Sequence, residues 1–447
     1  MGLGARSTSR DKHMDLKWMT RALRSRNYKL FFCGQIVSLV GNWMTSVALS
    51  WLVYKLTGST LLLGTVAFVS QIPALLLGPF AGVWIDRLNR LRVLKWTQTA
   101  AMLQSFALAL LTLSHRITVR DILILGAIQG AINALDMPAR QAFVVQMVED
   151  KADLPNAIAL NSSMVNAARL VGPALAGAII AVSGEGWCFL LDGFSYLAVL
   201  ASMFFMRVAP QPAPKNLMAP LAAFKDGWAY VSHFAPVRAI LLLMASVTLL
   251  SLPYAVLMPA VATKVLHGDS HALGYLMGAS GVGALCGALF LASRKSVLGL
   301  GRIIPLATCT LGIGLIAFSL SSHLWLSIAL MPLAGFGFMV QMASCNTLMQ
   351  TLVPDEKRGR AMSFFAMSFQ GTMPFGSLFA GALSNQFGPM PTIFISGVCA
   401  LFVAAAFFFH LPSLRDDVRT IYQAKGILSP EIAGVANAST LASEVGR

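Results

Sequence analysis

Charge is scarce in this sequence of 447 residues, because Asp, Glu, Lys and Arg make up only 11% of it. A soluble domain carries about 25%. The chain is 56% hydrophobic with a mean hydropathy of +0.70, and its apolar residues form repeated runs of about 20, the length that crosses a bilayer as a helix. The shortage of charge therefore excludes an ordinary soluble domain and indicates an all-α polytopic membrane protein.

Metal-binding and nucleophilic patterns are also missing. The six cysteines all lie inside apolar runs without a CxxC pair, which excludes a disulfide framework and a cysteine metal site. No HExxH motif occurs, and the seven histidines fall at the ends of runs or in loops. We therefore expect no catalytic residue, no metal and no cofactor, and a membrane-embedded enzyme is the less favoured of the functions considered.

The apolar runs predict twelve helices, at 30–54, 60–84, 93–114, 119–141, 157–182, 187–207, 238–262, 273–293, 303–321, 324–349, 358–384 and 389–411. Polar stretches divide the chain further. We expect a basic N-terminal tail (1–29), a six-helix bundle (30–207), a linker rich in proline at its start (208–237), a second six-helix bundle (238–411) and a C-terminal tail (412–447).

The formal net charge of +15 follows topology rather than nucleic-acid binding. With the N-terminus inside, the 33 lysines and arginines fall on the inner side except for Lys55, Arg116, Arg120, Lys264 and Arg169. This bias is the positive-inside rule. It predicts a multi-pass protein of the cell membrane (the bacterial inner membrane) with both termini cytoplasmic, in contact with lipid and not with nucleic acid. No small-residue cleavage site precedes the first run, so we expect no cleaved signal peptide.

The stretch from Gly78 to Arg92 places one acid among glycines and arginines. If the second run is helical, Gly78, Gly82, Asp86 and Arg90 share a face, with Arg87 beside them. Glycines on one face let another helix approach closely. The alternative interpretation is a basic turn that only obeys topology.

Polar side chains inside the apolar runs are candidates for function, because such groups face the bundle interior or a water-filled cavity. The candidates for lining a cavity are Gln35, Ser38, Asn42, Gln129, Asn133, Gln341 and Ser344. The candidates for a charge network are Asp136, Arg140, Arg169 and Asp192. Hydrogen bonding between helices, or a local Asp136–Arg140 ion pair, would explain several of these residues equally well.

One glycine motif occurs twice. The segment from Gly172 through Pro173 to Gly177 recurs from Gly376 to Gly381, at an offset that suggests duplication of a six-helix unit.

These motifs resemble those of the major facilitator superfamily. The Gly78–Arg92 stretch resembles the glycine–aspartate–arginine signature between its helices 2 and 3. Four further segments resemble the enterobactin-exporter-like branch of this superfamily: Asn27–Phe31, Pro138–Phe143, Asn156–Asn161 and Arg358–Arg360. The resemblance implies twelve transmembrane helices in two pseudo-symmetric six-helix halves. It also implies a cytoplasmic gate in which Asp86 meets the start of helix 11 near Arg358 and Arg360.

The Gly172–Gly177 motif resembles the antiporter motif of facilitator exporters, which packs against helix 8. That resemblance implies contacts of Gly172, Pro173 and Gly177 with the helix that carries Gly283 and Gly287.

The function implied is secondary active export of a small amphipathic molecule, siderophore or drug-like, by alternating access and proton antiport. A lipid or lysolipid flippase is the alternative. We expect a monomer whose partners are the substrate and a proton. Asp136 is the first candidate for the proton carrier, with Asp192 paired to Arg169.

Overall fold

The structure is a computed structural model that describes residues 20–208, 220–294 and 296–425, and every regular element in those ranges is a helix. Before the linker lie α1 (Arg26–Thr57), α2 (Thr60–Arg87), α3 (Arg90–Leu113), α4 (Val119–Met147), α5 (Leu154–Ser183) and α6 (Glu185–Phe205). The linker carries α7 (Pro220–His233). After it come α8 (Ala235–Leu250), α9 (Ser270–Ala292), α10 (Leu300–Ser319), α11 (Leu324–Leu352), α12 (Asp355–Ala366), α13 (Met373–Phe387), α14 (Pro389–His410) and α15 (Arg415–Ala424).

Ten of the described helices are long and apolar enough to cross a membrane. Two predicted runs are not among these ten. One is α3, which has two arginines in its first three residues, and the other is the segment of α12 and α13, which a π-helical turn divides into two helices. All twelve predicted runs are therefore helical, with ends displaced by a few residues, and the all-α membrane fold is confirmed.

Proline and π-helical turns interrupt two of these segments. α8 continues through a 3-10 turn (Leu252–Leu257) into a π-helical turn (Val261–Val265), and the whole forms one apolar span. α12 passes through a π-helical turn (Met367–Gly371) before α13 begins. Prolines near these points lack a backbone donor, which prevents a regular helix there.

The bundle has two ends, since short loops make successive long helices antiparallel. We call the end that carries the linker the linker side, and the opposite end the far side. Two far-side loops turn at Gly184 and Gly388, both with φ +89°, a value that side chains with a Cβ rarely adopt. These glycines follow α5 and α13 at equivalent positions, separated by the same offset as Gly172 and Gly376. The duplication expected from the sequence is thus present in the backbone.

Helix packing follows the same two-fold pattern. In the first half α1 packs against α5 and α6, and α3 packs against α4 and α6. In the second half α11 packs against α9 and α10, and α14 against α10. Two further extensive contacts join the halves, α5 with α9 and α2 with α13.

Candidate functional site

The contact between α5 and α9 is made of backbone at its far-side end. A Cβ added to Gly177 would lie 2.8 Å from the Ser270 carbonyl oxygen and 3.0 Å from Gly274 Cα. The Ser270 hydroxyl donates a hydrogen bond of 3.2 Å to the Gly177 carbonyl. The helices therefore meet without intervening side chains, in the way that small residues allow within membranes. We call this contact the α5–α9 seam.

The contact between α2 and α13 repeats this arrangement. A Cβ on Gly64 would lie 2.5 Å from the Ser377 carbonyl oxygen and 3.1 Å from Gly381 Cα. The Thr60 hydroxyl donates to the Gly381 carbonyl at 3.2 Å. Gly177 and Gly381, the last glycines of the two motif copies, thus make equivalent contacts: each packs against a glycine of the other half and accepts a hydrogen bond from a hydroxyl group there. We call this contact the α2–α13 seam.

The first glycines of the two copies face the opening helix of their own half. A Cβ on Gly172 would lie 2.5 Å from Trp43 Cβ and 3.1 Å from the Val40 carbonyl oxygen, both in α1. Gly376 likewise meets the Leu249 carbonyl in α8. The expectation that Gly172 packs against the helix that carries Gly283 and Gly287, which is α9, is therefore wrong. Five residues correspond to a rotation of about 140°, so Gly172 and Gly177 point to different neighbours.

Two further glycines of the predicted packing motif also have a different neighbour. Gly283 meets Pro332, and a Cβ on Gly287 would lie 3.1 Å from the Phe336 carbonyl oxygen, so both face α11 rather than α5. Pro173 does belong to the α5–α9 seam, because its carbonyl oxygen lies 3.1 Å from a Cβ built on Gly274. Gly274 itself is nine residues before Gly283, which is about half a turn away around the helix.

Toward the linker side the described contacts between the two halves are made by side chains. Leu75 lies 3.0 Å from a Cβ built on Gly371, and the Gln370 amide donates to Met137 Sδ at 3.5 Å. One turn further along α2, a Cβ on Gly78 has no atom within 4 Å. The described contacts between the halves therefore concentrate on the far side.

The predicted gate lies at the linker side, and the structure describes part of it. Gly82 and the side chains of Asp86 and Arg87, at the end of α2, fall outside what the structure describes. The Arg90 guanidinium donates to the Ala142 carbonyl at 3.3 Å, which ties α3 to the end of α4.

The two arginines expected to meet Asp86 have acidic neighbours, one in the same helix and one in the linker. Arg358 pairs with Asp355 in the same helix, and Arg360 pairs with Asp226 of α7. The cytoplasmic gate itself stays a prediction.

Asp136 is buried inside the first half. Its Oδ1 accepts hydrogen bonds from the Thr97 hydroxyl (2.8 Å) and the Gln98 amide (2.7 Å) of α3, while Oδ2 pairs with Arg140 one turn along. Gln129 and Asn133 bond each other at 3.2 Å on a more exposed face of α4. Gln129 and Asn133 therefore lie in a different environment from Asp136, whose carboxylate points toward α3.

Asp192 is also buried, but by hydroxyl groups. Its Oδ2 accepts a hydrogen bond of 2.8 Å from Ser105 of α3, and its Oδ1 one of 3.4 Å from Ser195. In the described part of the chain no cationic nitrogen lies within 4.0 Å of this carboxylate. The expected pair of Asp192 with Arg169 is wrong.

Arg169 lies instead between aromatic rings from the two halves. Its Cζ is 5.7 Å from the ring centroid of Trp43 in α1 and 5.5 Å from that of Phe338 in α11. Both distances are within the range of cation–π attraction.

Most of the amides and hydroxyls expected to line a cavity are enclosed within one half. Gln35, Ser38, Gln341 and Ser344 are at most 1% exposed. Asn42 is half-buried, donates to the Ser38 carbonyl at 2.8 Å and accepts from the Tyr196 hydroxyl at 3.0 Å. Hydrogen bonding between helices, the alternative that the sequence left open, accounts for Asn42. It does not account for Gln35, whose two buried polar atoms have no partner among the described residues.

Sequence reasoning missed several residues of the site. Ser105, Trp43 and Phe338 carry no motif, and only their neighbours in space identify them. Gly64 and Gly274 carry no motif either, and only their contacts with Gly381 and Gly177 identify them.

A helical bundle whose two halves meet at backbone seams, with buried acids and an arginine within its spans, has the architecture of a membrane transporter. The chain belongs to the major facilitator family described as transmembrane secretion effector, whose profile matches residues 20–433.

Curated relatives match over most of their own length. The chain is 27% identical to the staphyloferrin A transporter of Staphylococcus aureus, over 85% of this chain and 95% of the relative. It is 26% identical to the multidrug efflux pump Tap of Mycolicibacterium fortuitum (84% and 93%). It is 24% identical to the enterobactin exporter EntS of Shigella boydii (87% and 92%), which confirms the branch that the motifs indicated.

Among solved structures, a bacterial homologue of the human lysosomal transporter Spinster in an inward-facing, unoccupied conformation superposes with a TM-score of 0.70. The match covers 88% of this chain and 98% of that one at 14% identity. That likeness supports the fold.

Proposed function

We propose that this chain is a secondary active exporter of a small amphipathic molecule, siderophore or drug-like, that works by alternating access and proton antiport. The relatives named for staphyloferrin A, enterobactin and multidrug efflux support the substrate class and the direction. Because no quoted relative is named for lipid transport, the exporter is preferred to the flippase.

The observation that carries the proposal is the pair of far-side seams. Gly177 and Gly381 put backbone against backbone, so each seam can separate without unlocking interdigitated side chains. At the other end Gly78 and Gly359 face open space, since a Cβ on either has no atom within 4 Å. A rocking motion that opens the seams and closes the linker side would expose a central site to each side in turn.

The orientation follows from charge. Basic residues concentrate on the linker side, which we therefore propose to be cytoplasmic, together with both termini, in a bacterial inner membrane. The arrangement of contacts then corresponds to a state open to the cytoplasm, from which an exporter loads its substrate.

The contacts favour Asp192 over Asp136 as the proton carrier, the reverse of the order expected from the sequence. Arg140 already balances the charge of Asp136. The partners of Asp192 among the described residues are hydroxyl groups, so a proton is the natural counterpart of its negative charge. Asp192 also lies against α1, because a Cβ on Gly41 would be 2.5 Å from its Oδ1. A change in its charge would therefore act on the packing of two helices.

The test is transport into everted inner-membrane vesicles energised with a respiratory substrate. We expect accumulation of staphyloferrin A, enterobactin or ethidium that stops when an uncoupler is added. Accumulation that persists with the uncoupler would refute proton coupling. Failure to accumulate any compound of a broad siderophore and drug panel, with the protein present in the membrane, would refute export.

A further inference from the structure

Arg169 differs from the other membrane-embedded charges described above, because it faces aromatic rings instead of an ion partner. Asp136 has Arg140, and Asp192 has its hydroxyl groups, whereas the acid carboxylates of the described residues all lie more than 4.0 Å from the Arg169 nitrogens. A charged group at this depth is costly unless something compensates it. The aromatic rings compensate part of this cost, and the lack of a carboxylate partner among the described residues points to a ligand.

Among the described residues, no acceptor forms a hydrogen bond with the edge of the Arg169 guanidinium. The rings of Trp43 and Phe338, at 5.7 and 5.5 Å, provide cation–π contact. The five N–H donors are spread around the edge of the same planar group, and this edge matches a carboxylate in a bidentate hydrogen bond. The side chain is neither fully buried nor fully exposed.

The position of Arg169 suits a substrate site. It is near the middle of the 30-residue α5, about 22 Å from either end of the helix. The next residue, Leu170, makes a close contact of α5 with α9, since its Cα is 3.1 Å from a Cβ built on Gly281. The arginine therefore lies toward the linker-side end of the seam contacts, with Trp43 from one half and Phe338 from the other.

We propose that Arg169 is the recognition group for an anionic substrate, and that it binds a carboxylate on an otherwise apolar or aromatic molecule. This inference rests on the proposed export function and names the substrate class. The two rings would hold the apolar part of the substrate beside the charge. Because the rings belong to different halves, the ligand would contact both halves at once.

Direct binding to purified protein in detergent tests this, with 2-naphthoate and 2-naphthamide as probes that differ in charge but share one ring system. Equilibrium dialysis should show that the wild type prefers the carboxylate by about tenfold or more, the effect of one charge-assisted hydrogen bond. Arg169→Gln should remove that preference and leave the naphthamide affinity unchanged. Arg169→Lys should retain part of it, since a lysine keeps the charge and loses the planar fork.

The matched control is Arg302→Gln, a change at an exposed arginine near the start of α10 that should keep the full preference. The site is refuted if the wild type shows no preference, if Arg169→Gln keeps it, or if Arg169→Gln weakens both probes equally. If Arg169→Gln does not fold, as judged by its thermal melting, the loss or survival of the preference in Arg169→Lys decides the question.

The binding experiment and the transport experiment can refute the anion site and the exporter independently of each other. Vesicles that accumulate no siderophore or drug would refute the exporter, while a naphthoate preference that depends on Arg169 would still establish the anion site. Normal export together with equal binding of both probes would refute the anion site alone.

Discussion

The two ends of the interface between the halves are built differently. On the far side, Gly177 and Gly381 bring helices into backbone contact, and hydroxyls of Ser270 and Thr60 bond across the boundary. On the linker side, Gly78 and Gly359 have space around them. The glycines at the closed end contact the backbone of a facing helix, whereas the glycines at the open end have no neighbour within 4 Å of an added Cβ. The difference suggests that the second set serves the opposite conformation.

The largest effect is expected where backbone meets backbone. Gly177→Leu would place even its Cβ only 2.8 Å from the Ser270 carbonyl oxygen. Overpacking of this kind costs about 1–3 kcal/mol. A cost of about 3 kcal/mol changes a conformational ratio roughly a hundredfold, so the far side should stay open and export should stop. The measurement is vesicle transport, with membrane insertion checked separately.

Gly278→Ala is the control for Gly177→Leu. Its added Cβ would be 4.0 Å from Ala174 Cβ, an ordinary contact in the same pair of helices, so transport should be close to normal. Normal export by Gly177→Leu would show that the seam does not have to close.

The next largest effect should separate the buried acids. Asp192→Asn keeps the size of the side chain and removes its charge, so we expect proton-driven export to be lost while downhill exchange of substrate continues. Asp136→Asn should instead leave Arg140 without its ion partner and lower the melting temperature, because breaking a buried pair is destabilising. If Asp136→Asn uncouples transport and Asp192→Asn does not, the original order of the two acids was right.

A smaller effect is expected at the open end. Asp86→Asn should weaken a latch that closes the linker side. A carboxylate at a helix N-terminus contributes about 0.3–2 kcal/mol, so its loss should favour the linker-open state by up to roughly thirtyfold. Cysteine labelling of linker-side positions would increase. Unchanged labelling at normal expression would contradict the latch.

The smallest effect on the transport cycle is expected from a substitution of Gly172. Gly172→Ala should push against Trp43 inside the first half without changing which end is open. Overpacking of this kind lowers the free energy of unfolding by about 1–3 kcal/mol, so the melting temperature should fall. A change in labelling at either end would place Gly172 in the gate after all.

These contrasts also mark what could be predicted from the sequence. Apolar runs gave the helices, since the length of a run and its charged flanks are local properties, and the repeated glycine motif indicated the duplication. Which neighbour each glycine meets depends on rotation about the helix and on packing order. Gly172 and Gly283 were therefore assigned to the wrong helix, while Gly177 was not.

The polar residues show the same division. Gln35 and Gln341 are polar residues within membrane spans, which favours either a cavity or a neighbouring helix, and the sequence alone could not choose. The partner of Arg169 could not be predicted either, because Trp43 and Phe338 are far from it in the chain and ordinary in composition. Long-range pairing decided every one of these assignments.

The most direct test of the account is a pair of spin-label distances measured in a cysteine-free background. One pair, Leu61→Cys with Phe387→Cys, reports on the far side, and the other, Trp84→Cys with Ser363→Cys, reports on the linker side. All four positions are exposed. Introducing Gly177→Leu should lengthen the first distance and shorten the second in the same molecules. A far-side distance that lengthens while the linker-side distance stays unchanged would contradict the rocking of two halves about a central site.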